Sequence, residues 1–380
     1  MWINTLAFAL AFAAWVQLGP STRLIAAELH LSRAQGALLK TIPILVGSLL
    51  RIPLGVWVDR VGARPLFPML LGLGGLGSWT LSRSTSTGDL VLGSVLLGLV
   101  GTTFAVGVAS VCAWTPKARQ GLALGIFGAG NVGTALTTFG LPFLLEAVGW
   151  RESMQIYGGL LLLAAAGYFA LLPDPDRSQN SLRFRDAVEP LRDGATWHLA
   201  LQYMATFGVF VALTLTLSDI YVDGFGLSLR WAGVFTTAYA VLTSVGRILG
   251  GALADRWGPQ LILAAALSSA CLSLTVVSLA DPGLGAVLTL VCMCGVAQGI
   301  GMGAVLKDIS QKFPTRVGVV GGVVGALGGV AGFYLPLTCV WARSHASITG
   351  QLLPLTLLTL LALASLPLNR RVPIVALGTS

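Results

Sequence analysis

Charge is scarce in this 380-residue sequence: Asp, Glu, Lys and Arg make up 10% of it, against about 25% in an average soluble domain. So few charges cannot cover the surface of a fold this size, which excludes a water-soluble globular chain. Cysteine occurs five times and histidine three times, both scattered. That excludes a disulfide scaffold, and the high apolar content excludes disorder. Cys292 and Cys294 stand two apart on a helical run and point to different faces, so no metal quartet or nucleophile dyad is visible. No metal, no cofactor and no enzyme chemistry is expected.

What is present is hydrophobic: 55% of residues, with 48 glycines and a mean hydropathy of +0.83. A bilayer core about 30 Å thick needs about 20 residues per helix. Apolar runs of that length predict helices at 3–26, 35–57, 66–85, 89–113, 121–147, 152–172, 196–220, 231–253, 259–279, 284–305, 318–341 and 349–368. The runs do not alternate, which excludes a membrane β-barrel. The expectation is an all-α membrane protein whose twelve transmembrane helices are embedded in a lipid bilayer. The first run has neither a basic leader nor a small-residue cleavage site, so it reads as a retained helix. Fourteen Lys and Arg residues fall on the side of both termini and about seven on the other, which predicts cytoplasmic termini. The net charge of +8 is then topological and gives no reason to invoke nucleic acid.

A polar stretch opening with Pro173-Asp174-Pro175-Asp176-Arg177 divides the helices six and six. The expected units are 1–172, a linker at 173–195 on the cytoplasmic side, and 196–380. The two halves echo each other. Arg51-Ile52-Pro53-Leu54-Gly55-Val56-Trp57-Val58-Asp59-Arg60-Val61-Gly62 recurs as Arg247-Ile248-Leu249-Gly250-Gly251-Ala252-Leu253-Ala254-Asp255-Arg256-Trp257-Gly258, an offset of 196. Pro116 and Pro314, each ahead of a glycine-rich run, repeat at an offset of 198. Parallel six-helix repeats with a central linker describe the major facilitator architecture, with its site near the midplane between the halves. Gly55, Asp59, Arg60, Gly62 and Arg64, echoed by Asp255 and Arg256, resemble that superfamily's cytoplasmic loop motif. It reads either as a gate, with Asp59 near a helix N-terminus and Arg60 and Arg64 near C-terminal carbonyls or acids, or as a tight turn with topogenic charges.

Arg51 and Arg247 each lie eight residues before the aspartate of their repeat, about 12 Å inside the helix end. A charge at that depth costs at least about 2.5 kcal/mol. No acidic residue occupies a comparable depth by these boundaries. Two guanidiniums facing each other form a site of charge about +2, suited to a small oxyanion: phosphate, sulfate, carboxylate and nitrate are all admissible. Tyr203 and Phe207, four apart on the seventh helix, with Phe104 and Phe12, offer flat walls or ordinary packing. Gly128, Gly130 and Gly133 on the fifth helix, and Gly325, Gly328, Gly329 and Gly332 on the eleventh, permit either close helix packing or a backbone-lined path. Asn131, an intramembrane amide, needs a partner.

The paired runs Gly128-x-Gly130-Asn131-x-Gly133 and Gly325-Ala326-Leu327-Gly328-Gly329-Val330-Ala331-Gly332-Phe333, together with the two arginines, resemble the nitrate/nitrite porter family of the major facilitator superfamily. Ala205-Thr206-Phe207-Gly208 and Pro116-Lys117-Ala118-Arg119-Gln120-Gly121 extend the likeness over essentially the whole chain. The resemblance implies that Arg51 and Arg247 clasp the anion while Asn131, Tyr203, Phe207 and Phe104 line its pocket. It implies a monomer in the bacterial cytoplasmic membrane that moves nitrate or nitrite by alternating access. Exchange and proton symport both stay open, with Lys40, Lys307, Asp308 and Asp219 as groups that titrate. Two departures stand: Met302 lies in Gly299-Ile300-Gly301-Met302-Gly303 where relatives often carry a small polar residue, and the chain starts almost inside its first helix. The alternatives are a carrier of another small anion, such as a monocarboxylate, or a transporter-derived sensor.

Overall fold

The computed structural model describes residues 2–115, 123, 126–171, 192–313 and 317–369. The Pro116–Gly121 loop, residues 173–191 of the linker and Arg370 and Arg371 lie outside the described residues. So do the side chains of Asp59 and Arg60.

The described residues hold twelve helical spans. Nine stretches have the length and apolar composition of a membrane crossing. One of them, Ile126–Leu171, contains the fifth and sixth spans, which part at Gly149 with φ 82°. The third span, Ala63–Ser82, and the twelfth, Leu353–Asn369, complete the set. Polarity is inverted relative to a soluble protein. Leu163, Leu272, Leu279 and Leu357 face outward, while Asn4, Gln17, Gln202 and Gln298 are fully buried. Such an exterior suits lipid, and within the bundle a buried polar group left without a partner costs free energy. Asn4 avoids that cost by donating to Ser110 Oγ at 3.1 Å and accepting from the Tyr168 hydroxyl at 2.6 Å.

The 196-residue repeat extends into backbone detail. Ser32 caps the second span by accepting from Gln35 N, and Ser228 caps the eighth by accepting from Trp231 N. His30 and Gly226, just before those caps, both adopt positive φ. At the other end, Gly62 (φ 89°) and Gly258 (φ 84°) stop the same two spans. These left-handed stops carry the helices past the predicted ends at 57 and 253, to Val61 and Trp257. The Asp-Arg pairs therefore sit on the last helical turn and not in a loop.

Between the halves, the second span packs against the eleventh and the fifth against the eighth. Among the described residues, every ion pair that links the halves lies at the end away from the termini. Arg23 pairs with Asp223, Lys40 with Asp219 at 2.7 Å, and Arg230 with Glu146 at 2.5 Å.

Candidate functional site

Helix regularity breaks at one level of the bundle. Leu50 separates helices Arg33–Leu49 and Arg51–Val61 in the second span. A 3₁₀ turn at Leu99–Thr102 interrupts the fourth, another at Ala129–Val132 the fifth, and a π turn at Met204–Gly208 the seventh. Such irregular turns reorient carbonyls and side chains that a straight helix keeps to itself, and they recur at functional positions. Here they hold Arg51, the carbonyl of Gly101, Asn131 and Phe207.

Arg51 is 3% exposed and Arg247 4%. Among the described residues neither has a carboxylate partner. Arg51 donates from Nε to Gly101 O at 3.0 Å and from Nη1 to Gly325 O at 3.1 Å. Its guanidinium carbon stands 5.2 Å from the Trp15 ring, 5.3 Å from Phe104 and 5.7 Å from Phe207. Such an aromatic face contributes from about 0.5 kcal/mol when exposed to about 2 kcal/mol when desolvated. Two carbonyls and three rings thus make the buried cation tolerable without neutralising it. Arg247 donates from Nη2 to the Tyr203 hydroxyl at 3.2 Å, and its Nε has no partner. Tyr203 and Phe207 stack at 5.2 Å with 19° between their planes.

The glycine-rich runs divide by role. A Cβ on Gly128 would lie 3.2–3.3 Å from the Arg247 guanidinium, one on Gly325 3.9 Å from Arg51 and from Phe104, and one on Gly328 2.5 Å from the Tyr203 ring. One on Gly329 would overlap Ser48 Oγ and lie 3.7 Å from Arg51. Gly128, Gly325 and Gly329 thus face the arginines, and Gly328 faces the tyrosine that Arg247 donates to. Gly130 and Gly133 instead let the fifth span close on Phe8 and Ala9 of the first, and Gly332 admits Val211 and Ile44. Asn131, 2% exposed, has an Nδ2 with no partner, a buried donor that costs about 1–3 kcal/mol to leave unpaired.

Sequence reasoning missed Trp15 and Ser48. Trp15 donates to Pro43 O at 2.8 Å and presents its ring to Arg51. A tryptophan in mid-span, away from the interfaces where that residue concentrates, was the available signal. Ser48 lies three residues before Arg51 on the same helical face, buried with an unpartnered Oγ. Phe12 packs on Phe8 and Trp15, and among the described residues its ring is not one of those that stand over Arg51.

In the loop motif, Arg64 stacks on Phe169 at 5.0 Å with its Nε 3.5 Å from Phe169 O, near the end of the sixth span, as a C-terminal carbonyl contact requires. Asp255 pairs with Lys307 of the tenth span, and Arg256 lies over Trp257 at 5.4 Å. Gly55 leaves room for a Cβ, with Ala105 Cβ 3.9 Å away, so the space does not demand glycine there.

The family model of the Major Facilitator Superfamily matches residues 3–336. A protein of Thermus thermophilus named "Probable nitrate/nitrite antiporter NarK1" is 35% identical over 379 residues, covering 92% of this chain and 86% of that protein. The "Nitrite extrusion protein" of Bacillus subtilis is 35% identical over 351 residues, covering 92% and 87%. Among solved structures, a bacterial homologue of the human lysosomal transporter Spinster, inward-facing and unoccupied, superposes with a TM-score of 0.80 at 16% identity, covering 98% of this chain and 96% of the other. That likeness speaks for the fold alone. By the family match and by relatives of this identity and coverage, the chain belongs to the nitrate/nitrite porter family of the Major Facilitator Superfamily.

Proposed function

We propose that this integral membrane protein carries nitrate and nitrite by alternating access, with Arg51 and Arg247 as the anion clasp. The observation that carries the proposal is two buried guanidiniums, one from each half, with no carboxylate partner among the described residues. A carrier of cations would not place them there. Asn131 Nδ2, Arg247 Nε and Ser48 Oγ are unpartnered groups on three different spans around the same level. A planar oxyanion accepts from all three kinds of donor, and the stacked pair of Tyr203 and Phe207, with Phe104, forms flat walls against it. The paired glycine runs bring the opposite half's backbone against each arginine. The names borne by the relatives fit nitrate and nitrite within the class of small oxyanions.

Units 1–172 and 196–380 rock about this site, joined by the 173–195 linker, in the bacterial cytoplasmic membrane with both termini cytoplasmic. The ion pairs of Arg23, Lys40 and Arg230 then close the outer side. The motif of Gly55, Asp59, Arg60, Gly62, Arg64, Asp255 and Arg256 lies at the inner side as a gate. Closing two arginines without an anion between them leaves charge buried and unpaired. Return of the empty carrier is therefore disfavoured, and exchange of one anion for another is the natural cycle. Proteoliposomes loaded with nitrite or left empty, with and without a pH gradient, test this. Exchange predicts that internal nitrite accelerates nitrate uptake and that the gradient changes it little. Uptake that needs the gradient and ignores internal nitrite would show proton symport instead.

A further inference from the structure

At the end of the bundle away from the termini, a cavity of about 340 Å³ opens between the halves. The first half lines it with Arg23, Arg33 and Lys40, the second with Asp219, Asp223 and Arg343. Four cations face two carboxylates, a surplus of two positive charges. Both carboxylates are engaged. Asp223 holds Arg23 and also Arg343, whose Nη1 donates at 2.9 Å, and Asp219 accepts from Lys40. Arg33 is exposed and makes no ion pair or side-chain hydrogen bond among the described residues. Lys40, itself 4% exposed, gives one N–H to Leu215 O at 2.8 Å and one to Asp219 at 2.7 Å. An ammonium has three donors, so one remains.

The same three helices line this cavity and the central site. Lys40 and Arg51 share the second span, eleven residues or about 16 Å apart. Asp219 and Phe207 share the seventh, and Arg343 and Gly325 the eleventh. Between the two levels, Ile44 and Val211 close over Gly332, where a Cβ would lie 3.2 Å from the first and 2.8 Å from the second. Apolar side chains thus stand between the positively charged chamber and the arginine pair. The volume is that of roughly ten waters, enough for one hydrated oxyanion.

We propose that this cavity is a second site for a singly charged oxyanion, which captures the anion at the outer mouth before the halves part. The proposal rests on the reading of the chain as an oxyanion carrier with cytoplasmic termini. Arg33 supplies the unpaired guanidinium and Lys40 the remaining ammonium proton. Arg23 and Arg343, which share one carboxylate, supply the second excess charge. Because Arg33 has no partner to lose, its replacement removes charge from the chamber without breaking a bond of the fold.

The test has two arms. In right-side-out vesicles, Arg33→Gln is expected to raise KM for external nitrate about 3-fold and Arg33→Glu about 10-fold, with Vmax unchanged, an effect that fades in high inert salt. Arg33→Lys is expected to behave as wild type. In purified full-length Arg51→Gln/Arg247→Gln protein, which lacks the central clasp, ¹⁵N-nitrate line broadening is expected to persist and to vanish on adding Arg33→Glu. No broadening in the double variant, or an unchanged KM in Arg33→Glu, overturns the capture site and leaves the carrier reading standing. A wild-type protein that moves no nitrate sinks the carrier reading, while the broadening arm still reports on the cavity.

Discussion

The Nη1 of Arg51 donates to the carbonyl of Gly325 at 3.1 Å, a bond from the second span to the eleventh and so from one half to the other. The repeat supplies its counterpart, Gly128 of the fifth span lying against the Arg247 guanidinium of the eighth. Each arginine is thus in contact with the opposite half's glycine-rich run. Under the proposed clasp, an anion that draws Arg51 toward itself competes with a carbonyl of the other half, so that one side chain would couple occupancy of the site to the approach of the halves.

Gly128 carries the first prediction. Gly128→Ala places a methyl group 3.2–3.3 Å from the Arg247 guanidinium, so the arginine must shift by a few tenths of an ångström. Overpacking of this kind costs about 1–3 kcal/mol, and spent on the clasp it raises KM about tenfold. Gly140, on the same helix with nothing within 4 Å of a Cβ, is the control. Uptake kinetics of Gly128→Ala and Gly140→Ala check it, and equal KM values would show that the close approach is packing alone.

Asn131 separates function from stability. Its Nδ2 is buried without a partner, a cost of about 1–3 kcal/mol to the fold. Asn131→Leu removes that cost, so the purified protein is expected to melt no lower than wild type. The same change deletes the proposed donor to the anion and is expected to reduce uptake at low nitrate about tenfold. Thermal unfolding and transport measured side by side decide the point. Loss of both together would make Asn131 a structural residue.

The ion pair of Lys40 and Asp219, at the end of the bundle away from the termini, is unequal, with side chains 4% and 39% exposed. Lys40→Met exchanges a buried charge for an apolar group. Asp219→Asn instead leaves the ammonium buried and under-compensated, a loss of about 3 kcal/mol, taken at the low end of the usual range for the exposure of the carboxylate. Asp219→Asn is therefore expected to lower the melting temperature more than Lys40→Met does. The reverse order would mean that Lys40 is stabilised by other groups.

Arg51 and Arg247 were legible because charge is scarce and the loops explain nearly all the rest of it. The fold was legible because both arginines recur with an Asp-Arg-x-Gly ending at a fixed offset, and the same offset relates His30 to Gly226 and Ser32 to Ser228 in three dimensions. The π turn at Met204–Gly208 was not legible. No proline marks it, and its neighbours are set by packing, with a Cβ on Gly208 overlapping Ala331 of the eleventh span. The carbonyl of Gly101 could not be read either, since any residue has a carbonyl and only the 3₁₀ turn at Leu99–Thr102 aims this one at Arg51. Sequence spacing left the seven glycines undivided, because which face of each helix meets an arginine depends on the crossing of spans from opposite halves.

The proposed clasp is tested most directly by uptake of labelled nitrate into proteoliposomes carrying wild type, Arg51→Lys or Arg247→Lys. Lysine keeps the charge and loses the planar fork. Charge-assisted hydrogen bonds are worth about 1.5–3 kcal/mol each, so each variant is expected to lose at least about tenfold in apparent affinity. Near-normal affinity in either variant would contradict the clasp.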